Sequence, residues 1–375
     1  MVKEPSCCSV LYKEGAMKLK RLSAFVLVLL LLLTGCSGKP EEAAPIPTIQ
    51  VVDTVGRTVE VPQSAKSICC ICPFTGPFVV MFGYGEAITS TCNNVARSNL
   101  LAEICPTLKE VPVSKNSGSV NAELLLELST DLIFVDEGCY SDDDERVKLD
   151  NLGIPYVVIG FTNLMEQMEA IEIIGKALGS DAEAESYLNW YRGVLGSTTE
   201  AMNAYSGPRP RLYHAVNEAT RTDHAGSICA EWIGYLKVEN VSVDTDLQLE
   251  GDKAYTSLEQ IYEWAPELII CNEPGVDDYI MTDPKWAELA CVKEGRVYQI
   301  PVGTSRMGHP TSTETPLALL WLSELLFPNE FEIDVRKEIY DYFETYYDYQ
   351  LSEEMIDAML SGEDMRRAKT EKPEE

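Results

Sequence analysis

NAELLLELSTDLIFV at residues 121–135 and SLEQIYEWAPELIIC at residues 257–271 align with each other without gaps. In each, apolar residues at helical spacing give way, after a short turn, to an apolar run, which predicts a helix followed by a buried strand. One supersecondary unit therefore recurs in the two halves of the chain, and shared acidic positions favour duplication over convergence on a common motif. The matched acids are Glu123 with Glu259, Glu127 with Glu263, and Asp131 with Glu267.

Strands and helices are predicted to alternate on both sides of each repeat, over residues 49–162 and again over residues 207–328. Residues 50–62 alternate apolar and polar side chains around Gly56, which predicts a β-hairpin at the start of the first half. The fold class is therefore α/β, with two Rossmann-like lobes built on mostly parallel sheets. Such sheets bind ligands beyond the carboxyl ends of their strands, so we expect a ligand cleft between the lobes.

Residues 163–206 carry apolar side chains at helical spacing, and Gly179-Ser180-Asp181 is the one candidate interruption. We interpret this segment as a single long helix that connects the lobes and ends before Pro208. Residues 329–366 predict further helices, and residues 367–375 predict a disordered tail.

The N-terminus resembles a bacterial lipoprotein signal. A basic region at residues 18–21 precedes ten apolar residues, 24–33, a run too short to span a bilayer, and Leu33-Thr34-Gly35-Cys36 follows. A buried Leu-rich strand or helix is the alternative. The resemblance implies a signal peptide and lipobox over residues 1–36, with diacylation of the Cys36 thiol. Residues 37–48 are small, polar and Pro-rich, which predicts a flexible tether.

The formal net charge of −30 predicts a surface that repels nucleic acids and anionic headgroups. Nine of the twelve cysteines follow Cys36, and an odd number cannot all pair within one chain. Cys69 and Cys72 have CxxC spacing, but no second such pair completes a zinc site. Since many of these cysteines lie in apolar runs, we expect mostly unpaired thiols that pack as small hydrophobes.

The repeats and three further segments resemble the substrate-binding proteins of ABC importers for iron-siderophore, haem and cobalamin, the helical-linker class III of periplasmic binding proteins. VVDTVGRTVEVPQSAKSI (51–68) resembles that family's opening hairpin, EIIGKALGSDAEAESYLNWY (172–191) its connector, and HPTSTETPLALLWLSELLFPNEF (309–331) its C-terminal motif. The repeats resemble the family's two E-x-x…PD-x-I units, although Thr130 replaces the usual proline and Glu267 the usual aspartate.

The resemblance implies a monomeric, lipid-anchored binding protein on the outer face of the cytoplasmic membrane, which delivers a ligand to an ABC permease and its ATPase. It implies no enzymatic activity and no intrinsic cofactor. In the family, one acid on each lobe meets basic residues of the permease, and here Glu123 and Glu259 match those acids. Stabilisation of the two helix N-termini is an alternative role that is compatible with docking.

Candidate ligand-binding residues lie in loops that follow predicted strands. All three histidines of the chain are among them, and imidazole is a common metal ligand. Arginines bind carboxylates or phosphates through bidentate contacts, and aromatic or thioether side chains pack against rings. Solvated histidines, structural ion pairs and core packing are the alternatives. The candidates are Phe74, Thr75, Asn94, Arg97, Tyr140, His214, Arg221, His224, Glu273, Arg306, Met307 and His309, with His224 and His309 as possible metal ligands.

The ligand itself is left open by the sequence, although a metal-containing molecule is expected. An iron chelate of the siderophore type is the leading prediction, which the arginines would suit. Haem would use His224, His309, Tyr140 or Met307 as an axial ligand, and a corrinoid would need apolar walls. A molybdate- or tungstate-type oxyanion would bind backbone N–H groups and the arginines. An exported chelatase-like enzyme is a further alternative, but the sequence carries no GxSxG, HExxH or GxxxxGK[ST] motif.

Overall fold

The computed structural model describes residues 47–363 except Asp252. The predicted signal peptide and lipobox, most of the tether and the predicted tail lie outside the described residues. The predicted hairpin is confirmed, because β1 (Thr48–Val52) and β2 (Thr58–Pro62) pair antiparallel. Within residues 47–363, no helix combines the length and the apolar character that a bilayer span requires.

The N-terminal lobe is built on a six-stranded sheet with the order β6-β5-β4-β3-β7-β8, in which every neighbouring pair except β5 and β6 is parallel. Its strands are β3 (Ile68–Cys70), β4 (Ile88–Cys92), β5 (Val113–Asn116), β6 (Ser119–Val120), β7 (Leu132–Asp136) and β8 (Tyr156–Ile159). Along β7, Leu132 and Phe134 pack into one hydrophobic cluster, and Ile133 and Val135 into another on the opposite face. The sheet is therefore covered on both faces, as the continuous apolar runs predict.

The helices of this lobe lie between its strands. They are α1 (Thr75–Val79), which continues into a π-helix (Val80–Tyr84), α2 (Asn93–Ala96), α3 (Asn99–Ile104), α4 (Ala122–Glu127), α5 (Glu137–Ser141) and α6 (Asp143–Leu152). Short 3₁₀ turns lie at Gly85–Ala87 and Pro106–Lys109.

The connector differs from the prediction of one helix over residues 163–206. It forms two helices, α7 (Leu164–Leu178) and α8 (Asp181–Ala204), and α7 ends at Gly179, whose φ of 73° lies in the left-handed region that favours glycine. The two helices pack antiparallel, since Tyr191 Oη donates to Gln167 Oε1 at 2.8 Å near the open end of the hairpin. The long helix that joins the lobes is therefore α8 alone.

The C-terminal lobe has a four-stranded, fully parallel sheet with the order β11-β9-β14-β15, and a small antiparallel sheet with the order β10-β13-β12. Its strands are β9 (Arg211–Ala215), β10 (Arg221–Thr222), β11 (Glu239–Asn240), β12 (Gln248–Glu250), β13 (Lys253–Tyr255), β14 (Leu268–Cys271) and β15 (Val297–Gln299). Its helices are α9 (Ile228–Gly234), α10 (Leu258–Trp264), α11 (Val276–Thr282) and α12 (Ala290–Lys293).

The repeated sequence forms the same backbone in both lobes, as α4 with β7 and as α10 with β14. The side chains of Asn121 and Ser257 cap the two helices at equivalent positions. Ser129 and Ala265, again equivalent, both adopt positive φ, at 51° and 45°. The carboxylates of the matched acids Asp131 and Glu267 each accept a backbone N–H at the start of the neighbouring strand. The two repeats therefore share their helix caps, their turn conformation and a backbone hydrogen bond, which agrees with the prediction of a recurring supersecondary unit.

Three helices complete the chain: α13 (Thr315–Leu326), α14 (Val335–Tyr347) and α15 (Glu353–Leu360). α14 packs against the π-helix of the N-terminal lobe, and its tyrosines contact aromatic side chains of α8. The ring centroids of Trp190 and Tyr342 lie 5.2 Å apart, and those of Tyr187 and Tyr346 lie 5.5 Å apart. The two sheets are thus separate, but one hydrophobic cluster runs through both lobes.

Candidate functional site

A cavity of about 140 Å³ lies where loops from the two lobes meet, and we call it the interlobe cavity. The N-terminal lobe contributes the segment that follows β4, and the C-terminal lobe contributes residues 300–314, which join β15 to α13 and which we call the cavity loop. The lining is rich in polar side chains, namely Asn94, Arg97 and Ser98 from the first lobe and Thr304, Ser305, Arg306, His309 and Thr311 from the second.

Ser98 holds the two lobes together at this cavity. Its Oγ donates to the carbonyl oxygen of Thr304 at 2.7 Å, and it also accepts the N–H of Leu101 at 3.3 Å as the N-cap of α3. The sequence analysis did not select Ser98. A serine that is next to a candidate arginine and directly precedes NLLAEI (99–104), a possible helix start, is the signal that could have found it.

Arg306 is anchored within the C-terminal lobe. Its guanidinium donates to Asn217 Oδ1 and to Glu273 Oε2, and the Arg306 and Glu273 side chains are 15% and 27% exposed. Asn217, Glu273 and Arg306 follow the neighbouring strands β9, β14 and β15, whose carboxyl ends meet at one edge of the sheet. The prediction that cleft residues follow strands places this group correctly relative to the sheet.

Arg97 and Arg306 line the interlobe cavity from opposite lobes. His309 lies beside them, and its Nδ1 accepts the backbone N–H of Thr311 at 3.3 Å. This hydrogen bond assigns the proton of a neutral imidazole to Nε2, which makes that nitrogen a donor. Two guanidinium groups and an imidazole N–H line the interlobe cavity, so its donors are compatible with an anion in a protein whose net charge is −30.

A buried acid, Glu314, holds the cavity loop in place through hydrogen bonds on the side facing away from the cavity. Its side chain is fully buried; Oε1 accepts the N–H of Thr304 at 2.9 Å, and Oε2 accepts the hydroxyl of Ser305 at 2.9 Å. Burial raises the pKa of Glu314 above its ordinary value, against the opposing effect of these hydrogen bonds. The two loop residues that it holds are both cavity-lining residues.

We expect Glu314→Gln to alter how stability depends on pH. Because its pKa is raised in the folded state, Glu314 contributes stability that is fully present below the ordinary value of 4.5 and is lost as pH rises through the raised pKa. Glutamine resembles the neutral acid in shape and cannot ionise. Calorimetry should therefore show variant and wild type melting alike at low pH, with the variant melting higher above that window. Parallel melting curves across the whole pH range would contradict this role.

Four predicted residues line the interlobe cavity, namely Asn94, Arg97, Arg306 and His309, and Glu273 contacts it through Arg306. Their contact with a ligand stays a prediction. The structure does not bring the remaining seven to the cavity.

Phe74, Thr75 and Met307 are core residues in this structure, with at most 1% of each exposed. The Phe74 ring contacts Phe161 with centroids 4.6 Å apart, and the Thr75 hydroxyl donates to the carbonyl oxygen of Cys72 at 2.9 Å. Their loops were located correctly, but these side chains turn into the lobe rather than toward the cavity.

Tyr140, His214, Arg221 and His224 also lie away from the cavity lining. The guanidinium of Arg57 lies 4.7 Å from the centre of the Tyr140 ring. Arg221 is in β10, and the His224 Nδ1 donates to the carbonyl oxygen of Ala225 at 2.8 Å. His214 is fully buried within the C-terminal lobe. Of the two predicted metal ligands, His309 lines the interlobe cavity and His224 does not, so they do not belong to one site.

Residues 87–302, more than half of the chain, match the protein family described as periplasmic binding protein. The chain belongs to this family. It is a solute-binding protein of an ABC transporter, which implies an extracytoplasmic location. The predicted family and fold class are both confirmed. The matched span runs from just before β4 to the start of the cavity loop, so it contains the part of the cavity wall at residues 94–101 and Val302, whereas lining residues 303–311 follow it.

Among characterised proteins, the chain is similar to the molybdate-binding protein MolA of Haemophilus influenzae, with 24% identity over 327 residues that cover 79% of this chain and 90% of MolA. The solved structure of MolA bound to molybdate has a TM-score of 0.71 at 21% identity and covers 81% of this chain and 99% of that one.

Two further solved structures share the fold. A periplasmic solute binding protein from Veillonella parvula has a TM-score of 0.73 at 23% identity, covering 84% of this chain and 97% of its own. Helicobacter pylori CeuE with Ni(II) bound has a TM-score of 0.67 at 19% identity, covering 83% and 99%. At these identities the structural likeness establishes the fold alone.

Proposed function

We propose that this periplasmic binding protein captures a small tetrahedral oxyanion of the molybdate or tungstate type and delivers it to an ABC permease. The observation that carries the proposal is the pair Arg97 and Arg306, which approach one small cavity from opposite lobes. A divalent oxyanion presents acceptors in several directions, and guanidinium groups from both lobes can donate to it at once.

The size of the cavity favours an oxyanion over the larger predicted ligands. At about 10–15 Å³ for each water-sized sphere, 140 Å³ holds on the order of ten such spheres, which suits a hydrated or partly dehydrated oxyanion. Of the four predicted axial ligands for haem, only His309 lines the cavity. The likeness to a molybdate-binding relative supports the same choice.

An iron chelate, the leading prediction from the sequence, is kept as the second candidate because the two arginines would equally bind its carboxylate or catecholate groups. A siderophore complex would need the lobes to separate further, since Ser98 bonds to Thr304 directly across the cavity. Because the arginines would bind oxygen atoms of either ligand, the two hypotheses differ chiefly in the size of the ligand.

Isothermal titration calorimetry of the purified mature protein is the test. We expect one equivalent of molybdate or tungstate to bind, with sulfate, a smaller oxyanion, as the matched comparison. Ferric haem and a ferric carboxylate siderophore are titrated in parallel. Binding of the siderophore without molybdate, or a Soret shift with haem, would overturn the oxyanion proposal and favour the corresponding alternative.

Delivery would use the exposed acids at the starts of the two repeat helices. Glu123 and Glu259 lie in the first turns of α4 and α10, one on each lobe, and both are exposed. Backbone and Ser257 hydrogen bonds lower the pKa of Glu259, so it stays ionised at neutral pH. We propose that basic residues of the permease pair with these two acids while acyl chains on Cys36 hold the protein at the membrane.

A further inference from the structure

A second cluster of ligand-type side chains lies inside the C-terminal lobe, outside the interlobe cavity. His214 is in β9, Asp223 follows β10, and Cys229 is in α9; their exposed fractions are 0%, 2% and 2%. One potential ligand atom from each lies within 4.8 Å of the other two. Ligand atoms around a tetrahedral zinc ion lie roughly 3.3–3.8 Å apart, given bonds of about 2.0–2.3 Å, so small side-chain rotations would close the site.

The imidazole of His214 is not a fully satisfied core histidine. Its Nδ1 lies 2.9 Å from Asp223 Oδ2, but its Nε2 is buried and has no hydrogen-bond partner among the described residues. Buried polar atoms are nearly always paired, so an unpartnered imidazole nitrogen calls for a specific reason. His214 Nδ1 and Asp223 Oδ2 already lie 2.9 Å apart, close to the spacing of two ligand atoms on one zinc ion.

We propose that His214, Asp223 and Cys229 form a buried site for one divalent ion of the zinc type. The donor set of imidazole nitrogen, carboxylate oxygen and thiolate sulfur suits zinc, and the carboxylate and thiolate together neutralise its two charges. Binding transfers the Cys229 thiol proton to solvent, and no electron transfer is involved. Because the thiolate is the form that binds a metal, binding weakens as pH falls.

The site lies directly behind the cavity loop, on its core side. Cys229 Sγ donates to the carbonyl oxygen of Gly308 at 3.3 Å, and Trp232 Nε1 donates to the same oxygen at 3.0 Å. Gly308 has φ of 69°, and a Cβ at this position would lie 2.7 Å from the Trp232 ring. The segment between Arg306 and His309 is thus held against α9, and because a metal-bound thiolate cannot donate, Trp232 Nε1 would remain the donor to the Gly308 oxygen.

Cobalt titration of the chelator-treated protein tests this site with the metal alone. We expect one equivalent of Co(II) to produce a thiolate-to-cobalt charge-transfer band, which Cys229→Ala abolishes. Cys271→Ala is the matched control, because Cys271 is equally buried in the same lobe but packs in a different cluster. Among the described residues no cysteine lines the interlobe cavity, so cobalt bound there gives no such band.

A thermal measurement keeps the inference testable if one variant folds poorly. Zinc is expected to raise the melting temperature of the wild type and of Cys271→Ala, but not of Cys229→Ala or Asp223→Asn. The site is refuted if wild type binds no stoichiometric cobalt, or if the charge-transfer band survives in Cys229→Ala. It is also refuted if zinc stabilises all four proteins equally.

Discussion

Replacing Arg306 with alanine is expected to weaken molybdate binding by about 10- to 150-fold, because a hydrogen bond to a charged group contributes about 1.5–3 kcal/mol. Arg306 lines the interlobe cavity and is already oriented by Asn217 and Glu273. The donor is therefore held in place before the anion arrives, and little side-chain entropy is lost on binding. Calorimetric titration of the folded variant measures the loss.

Two further variants separate the lost donor from the acid that it leaves behind. In Arg306→Ala, Glu273 loses the guanidinium that neutralises it and would repel an oxyanion, so Arg306→Ala/Glu273→Gln should recover part of the affinity. Arg192→Ala is the matched control, since Arg192 pairs with Glu172 at 2.7 Å on the surface of the connector hairpin. Unchanged affinity in folded Arg306→Ala would exclude this arginine from the binding site.

Reversing both exposed acids, Glu123→Arg with Glu259→Arg, is expected to abolish uptake while ligand affinity stays unchanged. The two side chains lie in the first turns of equivalent helices, away from the cavity lining. Two added positive charges would face the basic residues expected on the permease, and like charges at an interface are strongly unfavourable. Uptake of labelled molybdate by whole cells, with calorimetry on the purified protein, measures both quantities.

The repeat supplies a matched control for this charge reversal. Glu127 and Glu263 are the next equivalent pair on the same two helices, and both are exposed. Glu127→Arg with Glu263→Arg changes the net charge equally and should leave most uptake intact. Membrane fractionation, with Cys36→Ser as the released control, checks that each variant is anchored. Normal uptake by the Glu123 and Glu259 variant, or a fall in its ligand affinity, would contradict docking through these acids.

Much of the backbone could be predicted because the sequence repeats a unit whose hydrophobic pattern is compatible with few backbone structures. Residues 121–135 and 257–271 each combine a capping side chain, a short amphipathic helix and an apolar strand, and both form as predicted. The connector was harder, since apolar spacing looks the same in one long helix and in two packed antiparallel. What separates the two is the left-handed backbone at Gly179, which the composition of the segment only suggests.

The loop positions of cavity residues were predictable, but the directions of their side chains were not. Arg306 and Met307 are consecutive, yet one lines the interlobe cavity and the other is fully buried. The sequence DPKWAE at residues 283–288 is compatible with the start of a helix, but α11 ends at Thr282 and α12 begins only at Ala290. In both cases local composition allows several backbone paths, and packing against the rest of the lobe selects one.

The return of α14 to the first lobe has a consequence for how ligand enters and leaves. The rings of Tyr342 and Tyr346 pack against Trp190 of α8. A wide separation of the two lobes would therefore expose this aromatic surface to solvent. We therefore expect the ligand to enter and leave through a small opening of the interlobe cavity rather than through a large hinge rotation of the lobes. The permease would then release the ligand by tilting the two lobes slightly, while the aromatic contact between α14 and α8 stays in place.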